Sequence, residues 1–377
     1  MLAIRALEVR GVRNLQTQRL ELGARFNVFF GENGQGKTNL LEAIYLVATS
    51  RSFRTNLLGE VVAHGAEAAR VRASIADPRL GEGAPPREQS VSILGKRRAV
   101  TVDGKRPRTL ASYALATPVV LFEPASLVLS QGPAGERRRL LDRVAVHVAA
   151  RHGGGEALVH DAERYRRAHL QRRRALDAGA DARTLASFER VMAEHGARIV
   201  RARREASEAL APLAVGAFQR IARTPLALDI AYAPRAPEDV DEFAARLHAS
   251  RGEDQRRGTA RVGPHLDDLA LLLGGHPARQ VASQGQHRAI VLALKSAELD
   301  TIRAAREVEP ILLLDDVSSE LDPTRNAALF ELLDARVGQV VLTTTRPELI
   351  ELSRSSESAD RSVRRDFRVR AGVVEPT

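Results

Sequence analysis

Eight residues, GENGQGKT from Gly31 to Thr38, constrain this chain more than any other stretch of its sequence. They fit the pattern G-x-x-x-x-G-K-[S/T], with an apolar strand pattern (FNVFF) before them and an amphipathic helical pattern (TNLLEAIYLVA) after them. Glycines in such a loop let backbone N–H groups surround phosphate oxygens, and the helix N-terminus adds partial positive charge. The stretch therefore predicts a nucleotide site; the alternative is an ordinary glycine-rich turn. We expect all eight residues to line it, namely Gly31, Glu32, Asn33, Gly34, Gln35, Gly36, Lys37 and Thr38.

A second apolar strand pattern, PILLL, ends in two adjacent carboxylates. Beside a P-loop, Asp315 stands where a Mg²⁺-coordinating carboxylate is expected, with Thr38 as the second metal ligand. Asp316 follows immediately and is the candidate general base that orients the attacking water. Lys37, which would reach the β- and γ-phosphates, and Asp316 are therefore the candidate catalytic residues. Aspartates after strands also cap turns, which is the alternative interpretation.

The composition limits the remaining function classes. The chain has 377 residues, 44% of them hydrophobic and none of them cysteine, which excludes disulfides, thiolate metal sites and thiol catalysis. No apolar run reaches the roughly 18 residues of a membrane span, and the charged N-terminus is unlike a signal peptide. We therefore expect a soluble cytoplasmic protein without a membrane partner. The net charge of +10 favours a polyanionic partner, although a GC-rich genome would also produce this excess of arginine.

Two changes in hydrophobic pattern divide the chain. Up to about residue 125 short strand patterns and turns dominate, whereas residues 134–222 show helical periodicity and almost no strand signal. Farther on, alternating helix and strand patterns return. The sequence therefore predicts an α/β fold in which residues 1–125 and 256–377 form one discontinuous domain. Residues 126–255 form an inserted, mainly helical domain.

Several single elements are also predicted from periodicity and capping residues. Asp322 before Pro323 is expected to be a helix N-cap. The predicted elements are helices at 38–48, 156–177, 182–222, 284–306 and 323–336, and strands at 117–124, PILLLDDV and GQVVLTTT.

The segment SQGQHRAI places a serine, a glycine and two glutamines just before a helical pattern. Alone, it is typical of an ordinary helix cap. Together with the P-loop, the paired aspartates and SELD, it resembles the signature segment of the ABC-type ATPase head. The resemblance implies that Ser283, Gly285 and Gln286 act on the γ-phosphate of an ATP held by a second molecule. It also implies that Thr344 stands near the position where transporters place a histidine that senses the γ-phosphate.

Five segments extend the resemblance over nearly the whole chain: GENGQGKT, SRSFRT, FEPASLVLSQGPAGERRRLLD, VGPHLDD and LLLDDVSSELD. In this order they resemble the RecF family of bacterial recombination mediators, which is similar to the SMC ATPases in its head but carries a short helical arm. The resemblance implies an ABC-type ATPase head with an inserted helical arm (lobe II), ATP and Mg²⁺ as cofactors, and weak, DNA-stimulated hydrolysis. It further implies an ATP-dependent homodimer that binds duplex or gapped DNA, acts with RecO and RecR, and helps to load RecA.

Three positions depart from these patterns or are ambiguous. Asp316 stands where most ABC ATPases have glutamate, and slow hydrolysis would suit a switch. Leu266, in VGPHLDD, stands where the family is expected to have arginine. His265 in the same motif has a functional interpretation near nucleotide or DNA, although a single histidine is more often structural.

Candidate DNA contacts come from the arginines. Arg51 and Arg54 of SRSFRT are preferred because they follow the predicted nucleotide-binding helix, and Arg172 and Arg173 are further candidates on the arm. Solvated helix faces would look the same in sequence. Aromatic residues make up only 4% of the chain and Trp is absent, so backbone contact with duplex DNA is favoured over base stacking. The arm carries four such arginine clusters, at 137–139, 164–167, 172–174 and 201–204.

Two other classes compete with a DNA-repair clamp. The head motifs alone would also fit the nucleotide-binding subunit of a transporter. Against that class stand the missing histidine, the arginine-rich arm and the absence of an L-S-G-G-Q sequence. A structural chromosome protein of the SMC type is the other alternative, but the predicted arm is too short for a long coiled coil. The sequence therefore favours the clamp.

Overall fold

The computed structural model describes residues 1–222, 224–316, 338–350 and 364–377. These residues form two compact units: Met1–Ser126 with Ile302–Thr377 is the first, and Leu127–Thr301 is the second. Apart from short 3-10 turns, the described elements in chain order are β1 (Ala3–Arg10), β2 (Gln18–Glu21), β3 (Phe26–Phe30), α1 (Lys37–Thr49), β4 (Ala68–Ala76), β5 (Arg87–Leu94), β6 (Arg97–Val102), α2 (Leu110–Ala116), β7 (Val119–Phe122), α3 (Val128–Gln131), α4 (Ala134–Ala150), α5 (Gly155–Asp177), α6 (Ala182–Ala222), β8 (Leu228–Ala233), α7 (Val240–Ala249), α8 (Arg251–Arg257), β9 (Asp268–Leu273), β10 (His276–Pro277), α9 (Ala278–Val281), α10 (Gln284–Arg306), β11 (Ile311–Leu314), β12 (Val340–Thr344), β13 (Arg364–Arg370) and β14 (Val373–Pro376).

The first unit contains an antiparallel five-stranded sheet in the order β2-β1-β4-β5-β6. Period-2 alternation gives this sheet one apolar face, on which Val9, Val71, Val91 and Val100 form a single cross-strand row. These valines belong to the same buried core as Ile44 of α1. The core thus holds the helix that follows the P-loop against the sheet.

A six-stranded sheet in the order β14-β13-β3-β12-β11-β7 completes the first unit. All neighbouring pairs are parallel except β13 and β14, which form an antiparallel edge hairpin. The short runs FNVFF, VVLF and ILLL are almost continuously buried, as expected for parallel strands covered on both faces. Because β3, β11 and β12 are parallel, their carboxyl ends meet at one edge of the sheet.

The second unit is built on long helices and a small sheet. Helix α6 spans 41 residues with Pro212 inside it, and it packs along α5, α4 and α7. The small sheet of the second unit is antiparallel and has three strands in the order β10-β9-β8. The predicted long helices at 156–177, 182–222 and 284–306 are confirmed within about one residue.

The division into units differs from the predicted domain boundaries at one end. The first boundary, near 125, coincides with the end of the first segment at Ser126. Residues 256–301, expected in the discontinuous α/β domain, lie instead in the second unit, because β9 pairs along its whole length with β8. The strand predicted in VGPHLDDLALLL is present as β9. Its partner, β8, lies earlier in the chain. Pairing over a distance in sequence cannot be read from the strand itself.

Two predictions fall outside the described residues, namely the N-cap at Asp322 and the helix at 323–336. Within the described ranges, no helix is long and apolar enough to cross a membrane.

Candidate functional site

The P-loop follows β3 and turns directly into α1. Gly34 and Gly36 adopt φ of +80° and +115°, values that residues with a Cβ rarely take. A Cβ on Gly31 would meet the backbone oxygen of Val369 at 2.3 Å, and one on Gly36 would meet the side chain of Asn14 at 2.9 Å. Glycine is therefore required here by close backbone approach as well as by conformation.

Lys37, the first residue of α1, turns its side chain back onto the loop. Its Nζ donates to the backbone oxygens of Gly31 at 2.7 Å and Glu32 at 2.8 Å, and the residue is only 6% exposed. Burial lowers the pKa of Lys37, although the charges of Asp316 and Asp315 partly counter this. An ammonium group held under a loop of backbone N–H groups is well placed to bind phosphate oxygens.

Asp315 follows β11 and meets the start of α1. Thr38 Oγ1 donates to Asp315 Oδ1 at 3.0 Å, and Thr343 Oγ1 of β12 donates to the same oxygen at 2.8 Å. Burial raises the pKa of Asp315, against the two hydrogen bonds that favour its charged form. The structure thus brings together Thr38 and Asp315, the two residues predicted as metal ligands, at the carboxyl edge of the sheet.

Asp316 adopts a left-handed backbone conformation with φ of +46°, immediately after Asp315. Its backbone N–H donates to Thr343 Oγ1 at 3.0 Å, so the same threonine holds both aspartates. Thr343 was only part of the TTT pattern in the sequence, and its role as a bridge was missed. Thr344, predicted to approach the γ-phosphate, is fully buried at the end of β12, and its Oγ1 accepts from the backbone N–H of Arg346.

A polar chain that the sequence analysis missed supports the P-loop from outside. Asn14 Nδ2 donates to the backbone oxygen of Gly34 at 3.2 Å, and Asn39 Nδ2 donates to Asn14 Oδ1 at 2.7 Å. Arg54 Nη1 in turn donates to Asn39 Oδ1 at 2.6 Å. One of the two preferred DNA candidates is therefore linked to the P-loop through two asparagines. No local pattern in VRNL or TNLL indicates this contact.

The turn of the β13–β14 hairpin holds the P-loop on another side. The backbone N–H of Ala371 donates to Gln35 Oε1 at 2.6 Å, and that of Gly372 donates to the Gln35 backbone oxygen at 2.9 Å. Gln35 was predicted to line the nucleotide site, and the structure uses its side chain to join the loop to the C-terminal hairpin. The remaining loop residues Glu32 and Asn33 are exposed.

The signature segment lies in the second unit at the start of α10. The Ser283 backbone N–H donates to Gln286 Oε1 at 2.8 Å, and the Gln286 backbone N–H donates to Ser283 Oγ at 3.3 Å. This is a reciprocal capping box, so the cap interpretation holds in the isolated chain. Ser283 is nevertheless exposed, which leaves its hydroxyl accessible to a second molecule. One turn on, His287 Nδ1 lies 2.6 Å from Ser130 Oγ in a buried hydrogen bond that braces the helix start.

The VGPHLDD motif is fixed by buried ion pairs in the second unit. Asp267, fully buried, accepts from Arg203 and from Tyr232, while Asp268 accepts two hydrogen bonds from Arg137. Leu266, which directly precedes these two aspartates, is 38% exposed.

His265 of the same motif sits among other rings of the second unit. The Tyr165 hydroxyl lies 2.7 Å from its Nδ1, and the His169 ring stacks on it at 4.3 Å between centroids. Burial lowers the pKa of both histidines, that of His169 to about 4, so both rings are neutral near pH 7. These contacts support the structural interpretation of His265.

Arg172 must be withdrawn as a DNA contact. It is 1% exposed, and its guanidinium pairs with Glu189 and Asp254 at 3.0 and 2.7 Å. Removing it from these partners to reach a phosphate would leave buried Asp254 without its ion pair and Glu189 with Arg251 alone. Arg173 and Arg51 are exposed, as expected for candidates, whereas Arg54 is engaged by Asn39 and by Glu42 at 3.6 Å.

Comparison with known proteins agrees with this geometry. The family model described as RecF/RecN/SMC N terminal domain matches residues 3–363. The chain is 41% identical to the DNA replication and repair protein RecF of Anaeromyxobacter sp. (strain Fw109-5), with 98% of each chain covered. It is 40% identical to the RecF of Myxococcus xanthus (strain DK1622), covering 92% of this chain and 91% of the other.

Solved structures give the same result. The structure of the recombination mediator protein RecF-ATP in the RecFOR pathway matches with a TM-score of 0.85 at 26% identity, covering 100% of this chain and 98% of that one. An Smc head domain from Pyrococcus furiosus matches with a TM-score of 0.56 at 14% identity, which shows the fold alone.

Fold and site together define the class, a mixed α/β ATPase head of the RecF and SMC type with a P-loop and paired aspartates. Within that class, the chain belongs to the RecF family of DNA replication and repair proteins. The transporter alternative is therefore set aside. So is the SMC alternative, because the relatives at about 40% identity over nearly the whole chain are RecF proteins.

Proposed function

We propose that this chain is an ATP-dependent DNA clamp that acts in the cytoplasm during recombinational repair of single-strand gaps and stalled replication forks. The observation that carries the proposal is the 3.0 Å hydrogen bond between Thr38 and Asp315, which are 277 residues apart. It joins the P-loop helix to the strand that ends in paired aspartates, as a hydrolytic nucleotide site requires. The RecF relatives and the RecF-ATP structure support the same assignment.

The residues present fit Mg²⁺ as well as nucleotide. The Thr38 hydroxyl and the Asp315 carboxylate are hard oxygen donors, which Mg²⁺ prefers, and they already point at one another. Mg²⁺, when bound, would neutralise charge on the β- and γ-phosphates. Because burial raises the pKa of Asp315, a nearby cation would favour its ionised form. When nucleotide binds, the Lys37 ammonium group would donate to phosphate oxygens in place of the backbone oxygens of Gly31 and Glu32.

Hydrolysis requires an oriented water, and Asp316 is the residue we assign to it. Its backbone is fixed by Thr343, so its carboxylate can act as the general base beside the phosphate-binding loop. We propose that the turnover is slow and stimulated by DNA, so that hydrolysis works as a timing switch.

Dimerisation is assigned to the exposed start of α10. Ser283, Gly285 and Gln286 of one subunit would complete the nucleotide site of the other, so that ATP stabilises the dimer by differential binding. The closed dimer would hold duplex DNA at a gap, and RecO and RecR would act with it to load RecA. The predicted head and arm remain the working domain division, with the arm extended to about residue 301.

The test is the mass of the protein in solution, measured by analytical ultracentrifugation with and without Mg·ATP. We expect a monomer that becomes a dimer on ATP. Lys37→Met should lose ATP binding and dimerisation together. Ser283→Arg should bind ATP as a monomer with unchanged affinity yet fail to dimerise, because the proposal assigns this exposed serine to the partner's nucleotide site. A loss of monomer affinity in Ser283→Arg would contradict the assignment to the partner's site.

A further inference from the structure

Six basic residues lie at one end of the five-stranded sheet, Arg98 and Arg51 on the side of α1 and the others on the solvent face or in the β5–β6 turn, and we call them the sheet-end patch. Arg10 of β1 and Arg70 of β4 are direct cross-strand neighbours on the solvent face. Arg70 Nε donates to Ser92 Oγ of β5, and Ser92 is paired with Ala99 of β6, two residues from Arg97. The patch comprises Arg10, Arg51, Arg70, Lys96, Arg97 and Arg98.

Arg51 joins the patch through the turn that ends α1. Arg98 Nη1 donates to the backbone oxygen of Ser50, the C-cap of α1, which precedes Arg51. Burial lowers the pKa of Arg98, and the like charge of Arg51 lowers it further. Because α1 begins at the P-loop and spans 13 residues, the patch lies roughly 20 Å from the nucleotide loop in the same unit.

The cations of the patch are set apart by the lack of acidic partners in the part of the chain that the structure describes. Among the described residues, no carboxylate lies within ion-pair distance of any of its six cations. The acidic residues on the same face of the sheet lie farther along the strands and pair with a different arginine. There Arg72 approaches Glu8 at 3.9 Å and Glu88 at 3.6 Å. Like charges crowded on rigid strands repel one another, and a bound polyanion relieves that repulsion.

The arm offers a different pattern. Several members of its four arginine clusters form ion pairs within the second unit. Arg137 pairs with Asp268, Arg172 with Glu189 and Arg203 with Asp142. Exposed members of α5, including Arg166 and Arg173, sit on a solvated helix that also carries Glu163. The exposed cations of the arm are thus spread along one helix, whereas those of the sheet end lie on neighbouring strands.

We propose that the sheet-end patch binds the phosphate backbone of duplex DNA, a proposal that rests on the DNA-binding function above. Three strand spacings from β1 to β6 measure about 14 Å, which matches about four phosphates at roughly 3.4 Å of rise per strand. The six side chains are cations without an aromatic ring among them, so they fit phosphates rather than stacked bases. Binding through the patch is therefore independent of sequence and falls steeply with salt.

The test compares two double charge reversals of equal size. Arg70→Glu/Arg97→Glu removes two patch cations that have no ion-pair partner, and Arg166→Glu/Arg173→Glu makes the same change on α5. Affinity for a fluorescent duplex is measured by anisotropy with Mg·ATP at several salt concentrations. We expect the patch variant to lose at least about tenfold in affinity and about 2 units of salt slope. The α5 variant should stay within about twofold of the unaltered protein.

Other outcomes separate the two claims. Equal losses in both variants, or a larger loss in the α5 variant, would overturn the patch. A patch variant that keeps full affinity would do the same while leaving the clamp function intact. If the unaltered protein does not bind the duplex, the proposed function itself is wrong. Patch-dependent binding to phosphatidylglycerol vesicles instead of DNA would identify the surface as a membrane contact. ATP-induced dimerisation, measured in parallel, confirms that the patch variant is folded and binds nucleotide.

Discussion

At the scale of single residues, arginine has two opposite uses in this chain. Arg172 and Arg203 are 1% and 6% exposed, and each pairs with at least one buried carboxylate of the second unit. Arg173 and Arg174, the exposed neighbours of Arg172, have no carboxylate within ion-pair distance among the described residues. The buried ones share the helical spacing of apolar neighbours, since Arg172 lies seven residues after Tyr165 and four before Leu176. That register is the signal in the sequence that separates a structural arginine from a surface one.

Replacing Arg172 by alanine should therefore destabilise the protein. The change leaves Asp254 buried without its ion pair and takes one of two arginines from Glu189, and we expect a loss of about 3 to 5 kcal/mol in the free energy of unfolding. Urea denaturation measures it. Arg173→Ala, at the exposed neighbouring position, should stay within about 0.5 kcal/mol. Similar values for the two variants would refute the structural role.

Glu298 makes a pH-dependent contribution of the same kind. Arg143 and Lys295 hydrogen-bond to it and, against the opposing effect of burial, hold its pKa at about 2, below the usual 4.5. Since the folded pKa is depressed, its stabilisation is complete above about pH 4.5 and is lost as the pH falls towards 2. Glu298→Gln should thus cost about 3 kcal/mol at pH 7, and this difference should shrink between pH 5 and 3. Glu82→Gln, in an exposed loop, should show neither effect.

At the scale of elements, the P-loop depends on a hairpin more than 330 residues away in sequence. The β13–β14 turn donates two hydrogen bonds to Gln35, and it packs so closely that a Cβ on Gly372 would lie 2.0 Å from the Asn14 backbone oxygen. Asn14 also bonds to the P-loop at Gly34. The hairpin and the Asn14 segment therefore support the loop jointly.

Gly372→Ala tests this support. The substitution must displace the backbone at Asn14, so we expect the dissociation constant for ATP to rise by about tenfold or more, with a loss of stability. Gly104→Ala is the matched control, because Gly104 has a similar φ of +73° but no atom within 4 Å of an added Cβ. It should cost only about 1 to 2 kcal/mol of stability and leave ATP affinity unchanged. Unchanged ATP affinity in Gly372→Ala would show that the hairpin does not position the loop.

At the scale of the whole molecule, the proposed cycle couples hydrolysis to the lifetime of a dimer. Asp316→Asn keeps the backbone contact to Thr343 but removes the general base, so kcat should fall at least about 100-fold with little change in ATP affinity. The ATP-bound dimer should then persist after dilution, as followed by ultracentrifugation. Asp315→Asn should instead weaken Mg²⁺-dependent ATP binding. Normal turnover in Asp316→Asn would remove this residue from the mechanism.

Much of the fold and of the candidate site was predictable because it depends on short stretches. The P-loop with its flanking strand and helix, the long helices and the strand before Asp315 all follow from local periodicity and are confirmed. The pairing of Thr38 with Asp315 was also expected, since parallel strands present their carboxyl ends at one edge. The domain boundary after 256 and the surface role of Arg172 were not predicted correctly.

By itself, then, the sequence determined which phosphate-binding and carboxylate groups the protein has and which local elements carry them. Only the tertiary structure decided which distant groups meet: Asn14 with Gly34, Gln35 with the C-terminal hairpin, and β9 with β8. It also decided which arginines are neutralised by buried carboxylates and which gather unopposed at the sheet end. The physical reason is that local pattern fixes the period and face of a strand or helix. Strand order and register, which set every long-range distance, arise only when those faces pack together.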